Sequence, residues 1–312
     1  MQTIKLHYSE TMKLDDMPAV SAAIGFFDGI HRGHQEVIRR AIDAAREKQL
    51  KSAVITFHPH PSVVLGKTDT REDYLTPLRE KEAILKSMGI DYLYLIGFTK
   101  ELAGLSPENF IERFINGLAV RHLVSGFDFT YGKKGAGNAD TLQDAAAQQA
   151  FSYEAVAKVE SDEEKISSTK IRQLVADGEV EAATELLGHP LTLTGEVITG
   201  DQRGRTIGYP TANIRIKEDY FLPKVGVYAV DVRIKDKTYA GMANLGFKPT
   251  FQQDAVAPNL EVHILDFDEQ IYGEEVTVSW RKFIREEVKF NGIEALVAQL
   301  DRDKEQISAY FA

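Results

Sequence analysis

Cysteine is absent from all 312 residues, which removes disulfides, thiolate nucleophiles and sulfur-ligated metals from the available chemistry. Also missing is any apolar run approaching the ~20 residues that cross a bilayer, and the stretch from Met1 to Glu10 lacks the apolar core of a signal peptide. Positive charge is in deficit: 37 Lys and Arg stand against 47 Asp and Glu, a formal net charge of −10. A broad nucleic-acid or anionic-membrane surface needs clustered basic charge, so neither is expected as a partner. Neither GxxxxGKS/T nor GxGxxG occurs, which leaves the P-loop and the usual dinucleotide fingerprint without support. What is there, 43% hydrophobic and 27% charged residues, fits a globular cytoplasmic protein with room for two domains. Small phosphorylated ligands stay open to it, because they need only local cations, a helix terminus or Mg²⁺.

The first half alternates short apolar runs with helical periods. Ala19 to Ile24, Ser52 to Phe57, Asp91 to Ile96, Arg121 to Gly126 and Tyr153 to Val159 are predicted strands. Val37 to Leu50, Leu78 to Met88, Pro107 to Leu118 and Ala139 to Ala150 are predicted helices, the third opened by Ser106 as N-cap and Pro107 at its first position. Such alternation predicts an α/β doubly wound parallel sheet whose ligand crevice lies at the carboxyl ends of the strands. Three chemistry-bearing segments directly follow predicted strands: Gly25 to Gln35, His58 to Pro61, and Gly126 to Phe129.

In the first of these, GFFDGIHRGHQ, the residues Gly25, Phe26, Asp28 and Gly33 and the pair His31 and His34 fall on a strand-to-helix turn. Free backbone N–H groups and the positive end of a helix attract an anion there. His31 and His34, three residues apart, can both donate to phosphate oxygens. Two other readings stay open on the residues alone: a turn with no ligand, and a metal site of Asp28, His31 and His34, whose spacing is not the HExxH of a zinc helix. Farther along, ISSTKIR at 166 to 172 opens a helix with Lys170 and Arg172 in its first turn, where the macrodipole disfavours cations. Capping accounts for Ser167, Ser168 and Thr169. A phosphate gripped bidentately by Arg172 accounts for the cations.

Near Leu187 to Pro190 the long periods give way to short alternating strands, which sets domains of 1–186 and 187–312. Leu191 to Thr199, Gly226 to Ile234, Thr238 to Asn244, Leu260 to Phe267 and Val276 to Phe283 predict a small antiparallel β-barrel domain, with a hairpin tip at Lys235 to Lys237 and a C-terminal helix from Gly292 towards Phe311. Before the second strand lies Gly200 to Asn213, where Gly200, Gly204 and Gly208 let backbone approach a phosphate and Arg203 and Arg205 add charge. Pro210 fixes the chain where Thr211 and Asn213 offer oxygens suited to Mg²⁺ bridging nucleotide phosphates. An ordinary surface turn is the alternative. Glu261, at the head of a strand, is by type alone a solvated face residue.

Over essentially its whole length the chain resembles the bacterial bifunctional riboflavin kinase/FMN adenylyltransferase family, also called FAD synthetase. The first-half motifs are GFFDGIHRGHQ at 25 to 35, FHPHP at 57 to 61, SGFDFTYG at 125 to 132 and ISSTKIR at 166 to 172. In the second half they are GRTIGYPTANI at 204 to 214, GVYA at 226 to 229, NLGFKPT at 244 to 250, LEVHILDF at 260 to 267 and FIREEVKFNGIEAL at 283 to 296. The HxGH turn alone indicates only the wider nucleotidyltransferase superfamily, whereas the PTAN loop with LEVHILDF is far more specific. The family commonly has Asn in place of Phe26 and often Arg in place of Lys165.

The resemblance implies two sequential transfers that use ATP as co-substrate and Mg²⁺ as cofactor: riboflavin to FMN, then FMN to FAD with release of pyrophosphate. It implies that His31 and His34 hold the ATP phosphates, that Ser168, Thr169 and Arg172 hold the nucleotide from the other side, and that Asp128 and His58 lie near flavin or nucleotide. In the second domain it makes Thr211 and Asn213 the organisers of Mg²⁺ and ATP, Glu261 the base for the ribityl hydroxyl, and Arg285 a flavin-side residue. Two rival readings are a flavin-sensing regulator without turnover, which would not need Glu261, and another nucleotidyltransferase with an appended barrel, which leaves the second signature unexplained.

Overall fold

Val20–Ile24 is buried at all of its positions, the mark of a central strand covered on both faces. In the computed structural model, which describes residues 1–9, 16–66, 73–161, 164–200, 203–249 and 256–312, this strand lies inside a sheet of six. Asp201, Gln202 and Thr250 of the motifs above lie outside the described residues. The chain divides into two compact units, Met1–Ser168 and Thr169–Ala312.

The first unit runs β1 (Gln2–His7), β2 (Val20–Ile24), α1 (Arg32–Glu47), β3 (Lys51–His58), α2 (Pro61–Leu65), α3 (Leu78–Ser87), β4 (Tyr92–Gly97), α4 (Lys100–Ala103), α5 (Pro107–Phe110), β5 (Val120–Gly126), α6 (Ala139–Gln148), β6 (Ser152–Val156) and the small hairpin β7 (Glu160–Ser161) and β8 (Glu164–Lys165). Its sheet has the order β1-β4-β3-β2-β5-β6, parallel throughout. The doubly wound parallel sheet expected from the alternation is therefore present. The chain winds from β2 outward through β3 and β4, then returns to lay β5 on the other side. That reversal puts the ligand crevice beyond the ends of β2 and β5, at Gly25 and Gly126.

Successive strand residues serve opposite faces, so the sheet has two cores. Ala22, Ile24, Ile55, Tyr94 and Ile96 face one cluster with Phe110 and Phe114. Ala23, Val54, Leu93 and Val124 face the other with Ile38 and Ala41 of α1. The single helix expected from Pro107 to Leu118 is instead α5 continued by a π-helical turn, Ile111–Asn116, whose wider winding buries Ile111, Phe114 and Ile115 together. β1, absent from the sequence reading, is added at the outer edge beside β4.

The second unit comprises α7 (Ser168–Asp177), which begins at the last residue of the first, α8 (Val180–Leu187), β9 (Thr192–Ile198), α9 (Arg203–Thr206), β10 (Ala212–Ile216), β11 (Gly226–Ile234), β12 (Lys237–Pro249), β13 (Val256–Ile264), β14 (Glu275–Arg285) and α10 (Ile293–Phe311). Six antiparallel strands close into a barrel in the order β10-β13-β12-β11-β14-β9. Five of them were expected; β10 was not. Trp280 and Tyr228 fill the barrel, their rings meeting edge to face at 4.9 Å. The sequence reading closes the first domain at residue 186, whereas α7 and α8 pack within the second unit. The Lys224 amide donates to Val175 of α7 at 3.2 Å, and Lys282 of β14 reaches Glu181 of α8 at 3.8 Å.

Candidate active sites

The turn after β2 is built by close approach. His31 is the N-cap of α1, and its Nδ1 accepts the His34 amide at 3.2 Å, so the ring proton sits on Nε2. A Cβ on Gly33 would stand 3.1 Å from the His31 ring. The two imidazoles stack at 3.6 Å with 17° between planes, and Phe27 meets His34 edge-on at 5.3 Å. Burial pushes His31 down to about 4 against the pull of Asp28, and the same cause, reinforced by His31 and Lys81, lowers His34. Both rings are neutral donors at pH 7, and His34 Nδ1 is buried without a hydrogen-bond partner among the described residues.

Two neutral imidazoles make the first unit acid-sensitive. The unfolded rings take protons from pH 6.5 downward, the folded His31 only near 4. Stability is therefore full above about pH 6.5 and falls by about 3 kcal/mol as the pH drops towards 4. Urea denaturation at pH 7.5 and pH 4.5, followed by far-UV circular dichroism, is expected to show at least this loss in the wild type and a smaller one in His31→Asn, which keeps the buried His34. Fluorescence would miss it, because the one tryptophan, Trp280, belongs to the second unit.

Asp28 acts as a brace for the turn. It is 4% exposed, its Oδ1 accepts the Thr76 amide at 3.1 Å, and its carbonyl accepts Ser168 Oγ at 2.9 Å. Beside the turn lies a cavity of about 520 Å³ walled by Phe26, Phe57, Phe98, Phe110, Phe129 and Tyr131, with Gly25, His34 and Asp128 also on its surface. Asp128 is paired with Lys165 at 2.5 Å. His58 is exposed and does not line this cavity; its ring lies 5.9 Å from Tyr74. Thr169 and Arg172 fall in the second unit, where the Arg172 guanidinium lies 4.8 Å from the Phe221 ring centre. The sequence reading overlooked Lys81, which looks like a surface residue in the charged run Arg79 to Glu82 yet is buried against the turn.

The barrel carries a second constellation. Cross-strand register sets Glu261 of β13 between Asn213 of β10 and Asn244 of β12, three polar side chains in one row across the sheet. Asn259 Nδ2 donates to Glu261 Oε1 at 3.0 Å, and His263 Nδ1 donates to the Pro210 carbonyl at 2.8 Å. Asn259, Glu261 and His263 share a face by the two-residue period, a signal present in the sequence and unread there. Gly200 and Gly204 are required by contact: a Cβ on the first would stand 2.2 Å from Asn213 Nδ2, and on the second 2.1 Å from the Tyr209 carbonyl oxygen.

Two cavities share Thr211, and the larger of them reaches Glu261 and Asn244 of this row. One of about 710 Å³ is lined by Glu261, Asn244, His263 and Thr211 and by apolar walls including Tyr209, Val227, Met242 and Leu300. The other, of about 390 Å³, has Arg205, Pro210 and Asp268 with Thr211 again on its wall. Gly208, at φ +85°, has open space where a Cβ would stand and sits in the turn ahead of Pro210. Arg285 lines the larger cavity but is held by Asp303 of α10: Nε lies 2.9 Å and Nη2 2.7 Å from Oδ2, and Nη1 donates to the Glu286 carbonyl at 2.9 Å. Its first duty is thus to strut β14 against the helix. Thr211 and Asn213 supply hard oxygens, and no cluster of three or more acidic, His or Cys ligands occurs among the described residues. That donor set fits Mg²⁺, which keeps waters and takes substrate phosphates rather than a full protein cage.

Each half of the chain has its own match among known proteins. Residues 14–170 match the family described as FAD synthetase, and residues 187–311 match riboflavin kinase. The bifunctional riboflavin kinase/FMN adenylyltransferase of Listeria monocytogenes is 48% identical, covering 100% of this chain and 99% of the relative. The protein of the same name from Bacillus subtilis is 43% identical with the same coverage, and that from Escherichia coli is 37% identical over 92% of this chain and 91% of its own. A crystal structure from Streptococcus pneumoniae, described as a macrolide-efflux protein, superposes with a TM-score of 0.87 at 38% identity over 97% of each chain. No helix among the described residues is long and apolar enough to cross a membrane.

Proposed function

The chain belongs to the family of bifunctional riboflavin kinase/FMN adenylyltransferases, and we propose that the barrel unit carries the first reaction and the parallel-sheet unit the second. In the barrel, the terminal phosphoryl of ATP passes to the ribityl hydroxyl of riboflavin, giving FMN and ADP. In the sheet unit, an FMN phosphate oxygen attacks the α-phosphorus of ATP, giving FAD and pyrophosphate. The observation that carries the kinase assignment is Thr211 on the wall of both barrel cavities, with Glu261 in the larger one. The larger, mostly apolar cavity suits a flavin ring and the smaller, with Arg205, a nucleotide. A hydroxyl is a poor nucleophile at neutral pH, so a carboxylate within reach has a proton to take.

Thr211 and Asn213 are the residues that would hold Mg²⁺. It would supply positive charge to offset the negative charge that builds on the nucleotide phosphates. Gly200 keeps the Asn213 amide in place by leaving it room, and His263 fixes the Pro210 carbonyl next to Thr211. In the sheet unit the nucleophile is already an anion, so positioning and charge neutralisation do the work and no base is required. Two neutral imidazoles at a helix start donate hydrogen bonds to phosphate and gain proton affinity as charge develops beside them. The aromatic cavity beside them is suited to a flat ring. A cytoplasmic location suits two reactions that each consume ATP.

Mixing the purified protein with riboflavin and ATP tests both halves together. Chromatography is expected to show riboflavin consumed, FMN rising and then falling, and FAD accumulating, with both steps stopped by EDTA and restored by excess Mg²⁺. Absence of either flavin product with the metal supplied would sink the assignment of the corresponding unit.

A further inference from the structure

The Phe26 carbonyl accepts two hydrogen bonds, from Thr56 Oγ1 at 2.9 Å and from Lys81 Nζ at 2.8 Å. Both of its lone pairs are used. Thr56 is 0% exposed and Lys81 5%, and neither lines the 520 Å³ cavity, whereas Gly25, Phe26 and Phe27 do. The carbonyl therefore points away from the cavity into the fold. In a trans peptide the N–H of the next residue lies on the opposite edge of the plane, so the Phe27 N–H is turned towards the cavity side. Phe27 itself sits at φ +54°, a conformation a bulky residue keeps only when its surroundings impose it.

Lys81 is an unusual residue to use for a carbonyl prop. Its ammonium also lies 4.7 Å from the centre of the Phe26 ring, burial lowers it to about 8, and Asp28 is the counter-charge that supports it. Burying an ammonium is unfavourable where a methionine of similar length would pack. The charge is close enough to His34 to help keep that ring neutral. Taking the first unit as the adenylyltransferase, on which this step rests, we propose that Lys81 is a positioning residue: with Thr56 it locks the Phe26–Phe27 peptide so that the Phe27 N–H is presented beside His34 as a fixed donor for the phosphate group under attack.

Lys81→Met keeps the stem and removes the donor. It is expected to lower kcat for FMN adenylylation by about 100-fold while KM for FMN and for ATP stays within about threefold, because the peptide is displaced and substrate binding is not. Riboflavin phosphorylation by the same variant stays at the wild-type rate. Thr56→Val is expected to cost about tenfold, and the double variant to be within about threefold of Lys81→Met alone, since both donors serve one oxygen. Wild-type kcat in Lys81→Met, or a lowered melting temperature with kcat per folded molecule intact, overturns the proposal. If Lys81→Met does not fold, Thr56→Val decides: unchanged kcat overturns the shared role, and a selective fall in kcat upholds it. Wild-type protein that forms no FAD from FMN and ATP would instead sink the reading of the unit as an adenylyltransferase.

Discussion

Glu261→Gln is expected to cut the rate of riboflavin phosphorylation by about a thousandfold, within the range that a general base contributes, and to leave conversion of FMN to FAD at its wild-type rate. The substitution keeps the volume of the side chain and can still accept from Asn259, which now donates to Glu261 Oε1 at 3.0 Å. What disappears is the anion in the row Asn213, Glu261, Asn244. The ribityl hydroxyl then has nowhere to send its proton as the bond to phosphorus forms. KM for riboflavin should move little, because the apolar walls of the larger cavity, Tyr209, Val227, Met242 and Leu300, are untouched. Two assays on one preparation check this, FMN formed from riboflavin and ATP, and FAD formed from FMN and ATP. More than a third of the wild-type kinase rate, or a parallel fall in FAD formation in folded protein, would remove Glu261 from the role of base.

That separation by unit was legible in the sequence because each fold announces itself locally. A strand such as β2 is a continuous apolar run since both of its faces are covered, and α1 shows helical spacing since only one of its faces is. The turn between them is punctuated by the glycines and histidines whose backbone it needs. The same local rules hid β10. Ala212–Ile216 is only five residues long and follows Gly208-Tyr209-Pro210, so it reads as the end of a loop, yet it closes the barrel and carries Asn213. The edge strand β1, with its mixed burial, is hidden for a similar reason.

Lys81 illustrates what sequence alone withholds. Its neighbours on α3 are charged, and the residues that give it meaning, Phe26, Thr56 and Asp28, are more than 20 positions away. Glu261 is a milder case. Its alternation with Val262 and Ile264 gave the correct face pattern, but one face of a barrel strand is solvated only where no cavity covers it. Register against Asn213 and Asn244 is a tertiary property. Arg285 had the reverse fate: the resemblance made it a flavin-side residue, while its Nε and Nη2 are hydrogen-bonded to buried Asp303.

Replacing His31 and His34 together by Ala is expected to reduce FAD formation from FMN and ATP by about a thousandfold or more, each lost donor to the reacting phosphates being worth about a hundredfold, with riboflavin phosphorylation unchanged. Part of any loss at His31 could arise from the helix instead, since its Nδ1 caps the His34 amide at 3.2 Å and an N-cap contributes about 1 kcal/mol. His31→Asn separates the two effects, because Asn caps as well as any residue but cannot become a cation beside phosphate. If the ring does the chemistry, His31→Asn should be nearly as inactive as His31→Ala while melting close to the wild type. The pH dependence adds an independent readout. Bound triphosphate raises the proton affinity of both rings above their low values in the free protein, so ATP should protect the first unit against acid most strongly between pH 6.5 and 4. The double variant should lose that protection along with its turnover, and full protection in a variant that lacks both imidazoles would mean the triphosphate is held elsewhere.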